Sequence, residues 1–581
     1  MGVESSNDVQ GADHLLHRLY EIQLKYGYIS KEVMLCLSKE LQLPITQVEG
    51  VVDFYSFFYR TPRGRYHLLF SHCTSCGDLS LMQRCCEVVG ISAGETRSDG
   101  LVSIDSTSCI GMCDQGPALL INQLPIVNLD DARIDQLVLL MEQQTPICDW
   151  PSDWFTVQEK VCRAGLLLHD TLEVGAGLRA ALRQGREALL QSITDSGLRG
   201  RGGAGFSAGM KWRFCREAVG EAHYVICNAD EGEPGTFKDR MLLREHADTL
   251  FEGMTIGGYV IGAEKGFLYL RGEYRYLLSH LQQCLVMRRQ QGLLGSSILG
   301  EAFNFDIEIV VGAGAYICGE ESALIESLEQ KRGVPRVRPP FPVTSGYLGQ
   351  PTIVNNVETL VAATHIALHG GAWFAAHGTA SSKGSKILSI SGDCARPGVY
   401  EYDFGLTIAQ MLEDCGATDT QAVQIGGPSG RLIAAKSFDR TIAFDDLATG
   451  GSMMIYGGQR NMLNVVQNFA HFFAHESCGF CTPCRVGTQL MKNGVDKIAT
   501  GHGTAYDMDE LKRLSSMVKR RSHCGLGQTA PNPILDAMES FPEAFTGVLT
   551  HHEYEPYFDL DRSLNEARRL TGRDDAEAHL S

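Results

Sequence analysis

The sequence predicts a multidomain α/β protein, and three observations carry that prediction. Its 581 residues suffice for about three or four domains. Helical periodicity dominates both ends, while strands alternate with glycine-rich turns and helices through the middle. The cysteines with ligand-like spacing form one early and one late set, which marks separate metal-bearing units on either side of that middle region. Composition excludes several classes. Apolar content of 44% and charged content of 21% are those of a globular chain. A net charge of −18 with no basic block argues against a nucleic-acid surface. No apolar run approaches the ~20 residues of a membrane span. Met1–Ser6 lacks the regions of a signal peptide, and its loose fit to a myristoylation pattern is discounted. Nineteen cysteines without an export signal read as metal ligands and buried thiols in a reducing, cytoplasmic compartment.

In chain order, residues 1–62 read as a small helical bundle. Leu15, Leu16, Leu19 and Ile22 share one side, Ser30 opens a second helix, and Pro44 a third that runs into the aromatic Val51–Phe58. Residues 63–144 read as an α/β unit with strands at Tyr66–Phe70, Leu101–Ile104 and Ala118–Ile121 and a helix at Leu79–Val89. Cys73 and Cys76 follow the first strand, and Cys109 and Cys113 follow the second; two thiolates per iron would hold a [2Fe-2S] cluster, with zinc as the alternative. Cys85 and Cys86 read as packing residues in the helix. Residues 145–172, with two prolines and two tryptophans, read as a linker packed on a surface.

Residues 173–350 carry the central chemistry. A helix spans Glu173–Thr194, and Gly200-Arg201-Gly202-Gly203-Ala204-Gly205 follows. Successive glycines let backbone approach a phosphate or flat ring, and their N–H groups form an anion nest beside Lys211. The strand Tyr224–Asn228 ends in Asp230, Glu231 and Glu233, which are placed to bond sugar hydroxyls. A second strand, Ile307–Val311, enters Gly312–Glu321 and opens the helix Ser322–Glu329: the strand, glycine loop, helix order of a nucleotide site. Residues 351–450 read as a small β domain of structural role, residues 451–550 as helical, and residues 551–581 as a polar tail. In the helical segment, Cys478, Cys481 and Cys484 at x2, x2 spacing with a distant Cys524 are a [4Fe-4S] pattern, since structural zinc usually pairs its ligands two and two. Isolated Cys36, Cys148, Cys162, Cys215, Cys227, Cys284, Cys318, Cys394 and Cys415 read as small core hydrophobes.

Two resemblances sharpen this reading. Residues 51–117 resemble the thioredoxin-like [2Fe-2S] subunit of complex I, the 24-kDa type, through Val51–Phe58 and Cys109-x3-Cys113-x3-Pro117. That family's first pair is Cys-x4-Cys, so Ser71 stands where a ligand is expected if Cys76 is the second member, and Cys73 substitutes only by a local shift. Most of residues 160–545 resemble the complex I flavoprotein subunit, the 51-kDa type, and its diaphorase relatives. The motifs are Gly200–Phe206, Lys211-Trp212, Cys227–Asp239, Gly312–Glu321, Pro339–Pro342, Asn355–Thr359 and the Cys478–Cys484 loop.

The resemblance implies a Rossmann-like FMN/NADH domain, a ubiquitin-like β domain and a helical iron-sulfur domain. It places FMN against Gly200–Gly205, Lys211, Asn228, Asp230, Tyr316, Gly319, Glu320, Asn355 and Asn356, and NADH against Phe206, Phe214, Glu233, Glu321, Arg338 and Phe341. Glu321 and Glu233 are the candidate catalytic pair, with Glu321 orienting the nicotinamide amide. Flavin bridges a two-electron hydride donor and one-electron clusters, so the implied activity is reversible exchange between NAD(H), FMN and iron-sulfur centres. A 24-kDa-type region fused ahead of a 51-kDa-type region is typical of the diaphorase subunit of cytosolic NAD-reducing [NiFe] hydrogenase. That implies a small iron-sulfur subunit and a hydrogenase module as partner chains. An NAD-dependent formate dehydrogenase, complex I or a bifurcating hydrogenase are the alternatives, and a non-enzymatic iron-sulfur scaffold a fourth.

Overall fold

The computed structural model describes residues 15–169, 171–551 and 560–574, so the readings of Met1–Ser6 lie outside the described residues. Helices Leu15–Tyr26, Lys31–Glu40 and Ile45–Phe54 form the N-terminal bundle. The Ser30 hydroxyl accepts from Val33 N–H, the cap that starts the second helix. The aromatic run then seats on the central domain. Ser56 and Phe57 N–H groups donate to Gly314 and Ala313 carbonyls at 3.0 Å each, and the Tyr55 hydroxyl donates to Ser327 at 2.7 Å.

The first sheet has the order β2-β1-β3-β4, from Val102–Thr107, Tyr66–Ser71, Leu119–Ile121 and Leu124–Ile126. Only β1 and β2 are parallel, so both end at the same edge, next to Cys73 and Cys109. Helices Leu79–Val89 and Asp131–Glu142 cover it, with Cys85 and Cys86 buried. The expected linker is built into the fold. Trp150 and Trp154 are buried in this core, with Trp150 stacked on Tyr66 at 5.7 Å, and β5 (Val161–Arg163) extends a different sheet. Indole burial outweighs the chain entropy of the intervening turns.

The central sheet is all parallel in the order β8-β7-β6-β9, from Asp306–Val311, Lys265–Leu270, Tyr224–Ala229 and Thr352–Asn356. A parallel sheet needs helical crossovers, and the buried helices Ala247–Ile261 and Val357–His369 pack on one another beside it. Two expectations shift here. The boundary set at residue 350 cuts this sheet, because β9 pairs with β6 and the helix after it stays with the same layer. The single helix expected at Glu173–Thr194 is two, Ala176–Gln184 and Arg186–Asp195, broken where Gly185 takes φ 80°.

The third sheet has the order β13-β12-β14-β10-β11-β5, its other strands being Arg431–Ala434, Thr420–Ile425, Ser452–Gly457, Ser385–Gly392 and Gly398–Asp403. It wraps the helix Ile408–Cys415, which a Thr407–Gln410 capping box starts. Helices Met462–Glu476, Thr482–Ala499, Ala505–Arg521 and Asn532–Ser540 make the C-terminal unit. The polar tail carries a helix, Leu560–Thr571. Of the isolated cysteines, Cys36, Cys148 and Cys162 are exposed and are not core residues. Among the described residues no helix is long and apolar enough to cross a membrane.

Candidate functional site

Parallel strands bring their carboxyl ends to one edge, where ligands of open α/β sheets bind. At that edge Gly202, Gly203, Ala204, Asn228, Asp230 and Glu233 face Tyr316, Gly319, Glu320 and Asn356 across a cleft of about 470 Å³. That is within the ~300–1,000 Å³ usual for small-molecule sites. Gly203 has φ 124°, and a Cβ built there meets no atom within 4 Å. The Asn228 amide donates to Gly319 O at 2.8 Å and so ties β6 to the second glycine loop. Glu320 caps the helix Glu321–Leu328 by accepting from Ser322 and Ala323 N–H. Asp230 Oδ2 and Thr236 Oγ1 are buried on this cleft with no protein partner, the mark of groups that await a polar ligand.

Glu233 is held from three directions. Tyr316 OH donates to it at 2.5 Å, and Ser429 N–H and Oγ each donate at 2.8 Å. Burial pushes its carboxyl up to about 7. Ser429 belongs to the third sheet's domain, which also lines the cleft with Gly426, Thr449 and Gly450. The expectation of a purely structural β domain is therefore corrected: the glycine turns at the ends of β12 and before β14 form one wall.

The other expected residues lie outside the lining of this cleft. Gly200 and Gly205 shape the loop, Gly200 N–H donating to Phe206 O at 2.8 Å and Gly205 taking φ 66°. The Arg201 guanidinium is buried elsewhere, donating to Arg199 and Lys383 carbonyls beside Phe404 and Phe444. Asn355 is spent on Trp212, whose indole N–H it accepts at 2.9 Å. Lys211 donates to Glu321 and to Val354 O, both at 3.0 Å, and Arg338 pairs with Glu320 at 3.2 Å and Glu321 at 3.6 Å. Phe206, Phe214 and Phe341 are 48%, 43% and 52% exposed, unusual for phenylalanine.

Sequence reasoning missed Thr236, Lys238 and Asp239, which line the cleft floor. Buried Lys238 sits between Asp239 and Glu358, at 2.5 and 3.0 Å. All three missed residues stand inside the Cys227–Asp239 motif, of which only Asn228, Asp230 and Glu233 were expected at the cofactors.

The cysteines gather into two sets. The thiols of Cys73, Cys76, Cys109 and Cys113 are buried and lie within 4.8 Å of one another, the one such group among the described residues. Cys73 thus stands with the other three thiols, and Ser71 lies 3.0 Å from the Cys76 sulfur. The thiols share hydrogen bonds with one another, which hold the Cys109 thiol well down and push those of Cys76 and Cys113 well up. Buried Arg240 ties this loop to the central domain, donating to Gly111 O at 2.7 Å and to Asp114 at 3.0 Å. Cys478, Cys481, Cys484 and Cys524 line one small pocket of their own. Ile317 and Leu526 line both that pocket and the cleft. Four cysteine thiolates are the usual ligand set of either a two-iron or a four-iron cluster.

Cys109→Ser and Cys113→Ser are each expected to abolish the reduced [2Fe-2S] EPR signal while the [4Fe-4S] iron remains. Cys73→Ser is expected to do the same, and survival of its signal would return the ligand position to Ser71 or another group.

Comparison with known proteins agrees with both halves. A family model described as the Nuo51 FMN-binding domain matches residues 193–365, one for the NADH-ubiquinone oxidoreductase-F iron-sulfur binding region matches 464–547, and one for a thioredoxin-like [2Fe-2S] ferredoxin matches 4–142. The protein thus carries an FMN site and sites for one [4Fe-4S] and one [2Fe-2S] cluster. The NADP-reducing hydrogenase subunit HndC of Solidesulfovibrio fructosivorans is 42% identical over 66% of this chain and 78% of its own length. A solved NAD+-reducing [NiFe]-hydrogenase in the H2-reduced state contains a chain that superposes with TM-score 0.93 at 43% identity, covering 98% of each. The NAD-reducing hydrogenase HoxS subunit alpha of Cupriavidus necator is 42% identical over 95% of this chain and 94% of that protein, and the chain belongs to its family.

Proposed function

We propose that this chain is the diaphorase subunit of a cytoplasmic NAD-reducing hydrogenase, passing electrons between NAD(H) and a [NiFe] hydrogenase module on partner chains through a small iron-sulfur subunit. The observation that carries the reading is the shared wall of Ile317 and Leu526 between the flavin cleft and the Cys478–Cys524 pocket. Bound flavin supplies the exchange between an electron pair and single electrons. The residues supply position. Gly202 and Gly203 open the wall to a flat ring, and Asn228, Asp230 and Asn356 offer polar atoms to its edge and side chain. Glu233, fixed by Tyr316 and Ser429, is placed for nicotinamide-ribose recognition. Exposed Phe206 and Phe341 give aromatic faces to the two rings of the dinucleotide. Lys211 holds Glu321 in place for the amide, and Arg338 meets the pyrophosphate. A cytoplasmic setting fits the cysteines, since none of the nineteen is in a disulfide.

The purified, cofactor-loaded chain is expected to show a flavin band that NADH bleaches and NADH-dependent dye reduction. With its partner chains it should reduce NAD+ from hydrogen. A loaded chain whose flavin band does not respond to NADH would end this reading.

A further inference from the structure

Glu476 closes the helix that leads into the Cys478 loop, and its carboxylate joins elements from all three cofactor sites. Ser108, adjacent to Cys109, donates its hydroxyl to one oxygen at 2.5 Å. Tyr316 of the second glycine loop donates its backbone N–H to the other at 3.0 Å. Two residues on, Cys478 enters the second cysteine pocket. The helix below is fixed to the same corner, with Phe472 against Tyr316 at 5.0 Å and the Asn468 amide donating to His72 O at 3.3 Å.

We propose that Glu476 is a positioning residue that locks the three cofactor-bearing loops to one another and places a negative charge among them. Sequence distance makes this a tertiary device, because Ser108, Tyr316 and Glu476 come from three separate domains. A charged acceptor strengthens both hydrogen bonds relative to neutral ones. Its field reaches the flavin cleft: burial raises the Asp230 carboxyl, and the Glu476 charge pushes in the same direction. An electron arriving on any of the three centres meets that charge, so it holds their midpoint potentials down.

The inference rests on the electron-transfer reading above, and the parent chain separates the two. If NADH fails to bleach the parent's flavin, the reading fails. If the parent responds and the variants below do not differ from it, only this inference fails.

The test uses the full chain loaded with FMN and both clusters. Glu476→Gln keeps an acceptor for Tyr316 and a polar partner for Ser108 but removes the charge. It is expected to retain all cofactors and to move the flavin and [2Fe-2S] midpoint potentials upward in redox titrations followed by absorbance and EPR. Glu476→Ala removes both acceptors. It is expected to leave flavin bleaching by NADH at the parent rate and to slow the rise of the [2Fe-2S] EPR signal at least tenfold in a single turnover. Unchanged potentials in fully loaded Glu476→Gln would overturn the electrostatic part. A parent-rate EPR rise in Glu476→Ala would overturn the positioning part. Should the alanine variant fail to load, Ser108→Ala removes one of the two bonds and keeps the charge; slowed [2Fe-2S] reduction there with flavin bleaching intact would support the positioning, and a parent rate would overturn it.

Discussion

A Cys524→Ala chain is expected to retain NADH-dependent bleaching of its flavin and to lose reduction of its partner chains. Cys524 is the probe of choice because it sits outside the tight loop, at the start of the short helix Gly525–Thr529. Its thiol is half of a junction: Cys524 lines the second cysteine pocket, and Leu526 two residues on lines both that pocket and the cleft. Burial pushes the free thiol up to about 11, so without metal it is a neutral core group and its loss costs the apoprotein little charge compensation. The large cost falls on the cluster, which staples helix Thr482–Ala499 to the segment before Asn532–Ser540. Folding is therefore checked first by circular dichroism and flavin content. In a folded, flavin-replete variant lacking [4Fe-4S] iron, NADH should bleach the flavin in one turnover while partner reduction falls at least a hundredfold. Partner reduction at the parent rate would defeat the route through this cluster.

The second large effect is expected of Gly203→Val, which should yield a folded chain without flavin. Two penalties coincide at this position. A φ of 124° is strained for any L-residue, costing roughly 1–3 kcal/mol. The branched side chain also adds bulk at a residue that lines the cleft, where no protein atom stands within 4 Å of the new Cβ. The same open space means that the core does not have to move, so stability should fall far less than flavin affinity. Gly203→Ala carries the strain with less bulk and should lie between. Absorbance of the purified variants measures flavin per chain, and stoichiometric flavin in Gly203→Val would move the cradle elsewhere.

How much of the site was legible can be read from particular residues. The glycine loops announced themselves, because only glycine tolerates both positive φ and close approach of a flat ligand. The Cys478–Cys524 set was legible from its spacing, and so were Cys109 and Cys113. Arg201 and Asn355 illustrate the limit, since both stand inside cofactor motifs yet spend their side chains on buried protein partners. A motif records which residues recur together, and it does not say which way each one points. The Ser71–Cys73 question had the same character. A two-residue offset at the end of β1 turns a ligand into a neighbour, and only the convergence of four sulfurs within 4.8 Å places Cys73 with Cys76, Cys109 and Cys113.

What the sequence by itself determined is local: helix starts at Ser30 and Pro44, the pattern of alternating strands and helices, the glycine turns, and the spacing of thiols. These depend on residues close along the chain, where capping, periodicity and backbone freedom act. What only the tertiary structure decided is everything that joins distant segments. The third sheet's Ser429 and Thr449 form a wall of the flavin cleft, and β9 belongs to the central sheet. Trp150 and Trp154 turn a linker into core, and buried Arg240 fastens the first cysteine loop to the central domain through Asp114. Each of these contacts exchanges water and chain entropy for burial across a long loop. That balance depends on which surfaces meet in space, and the order of residues along any one segment does not contain it.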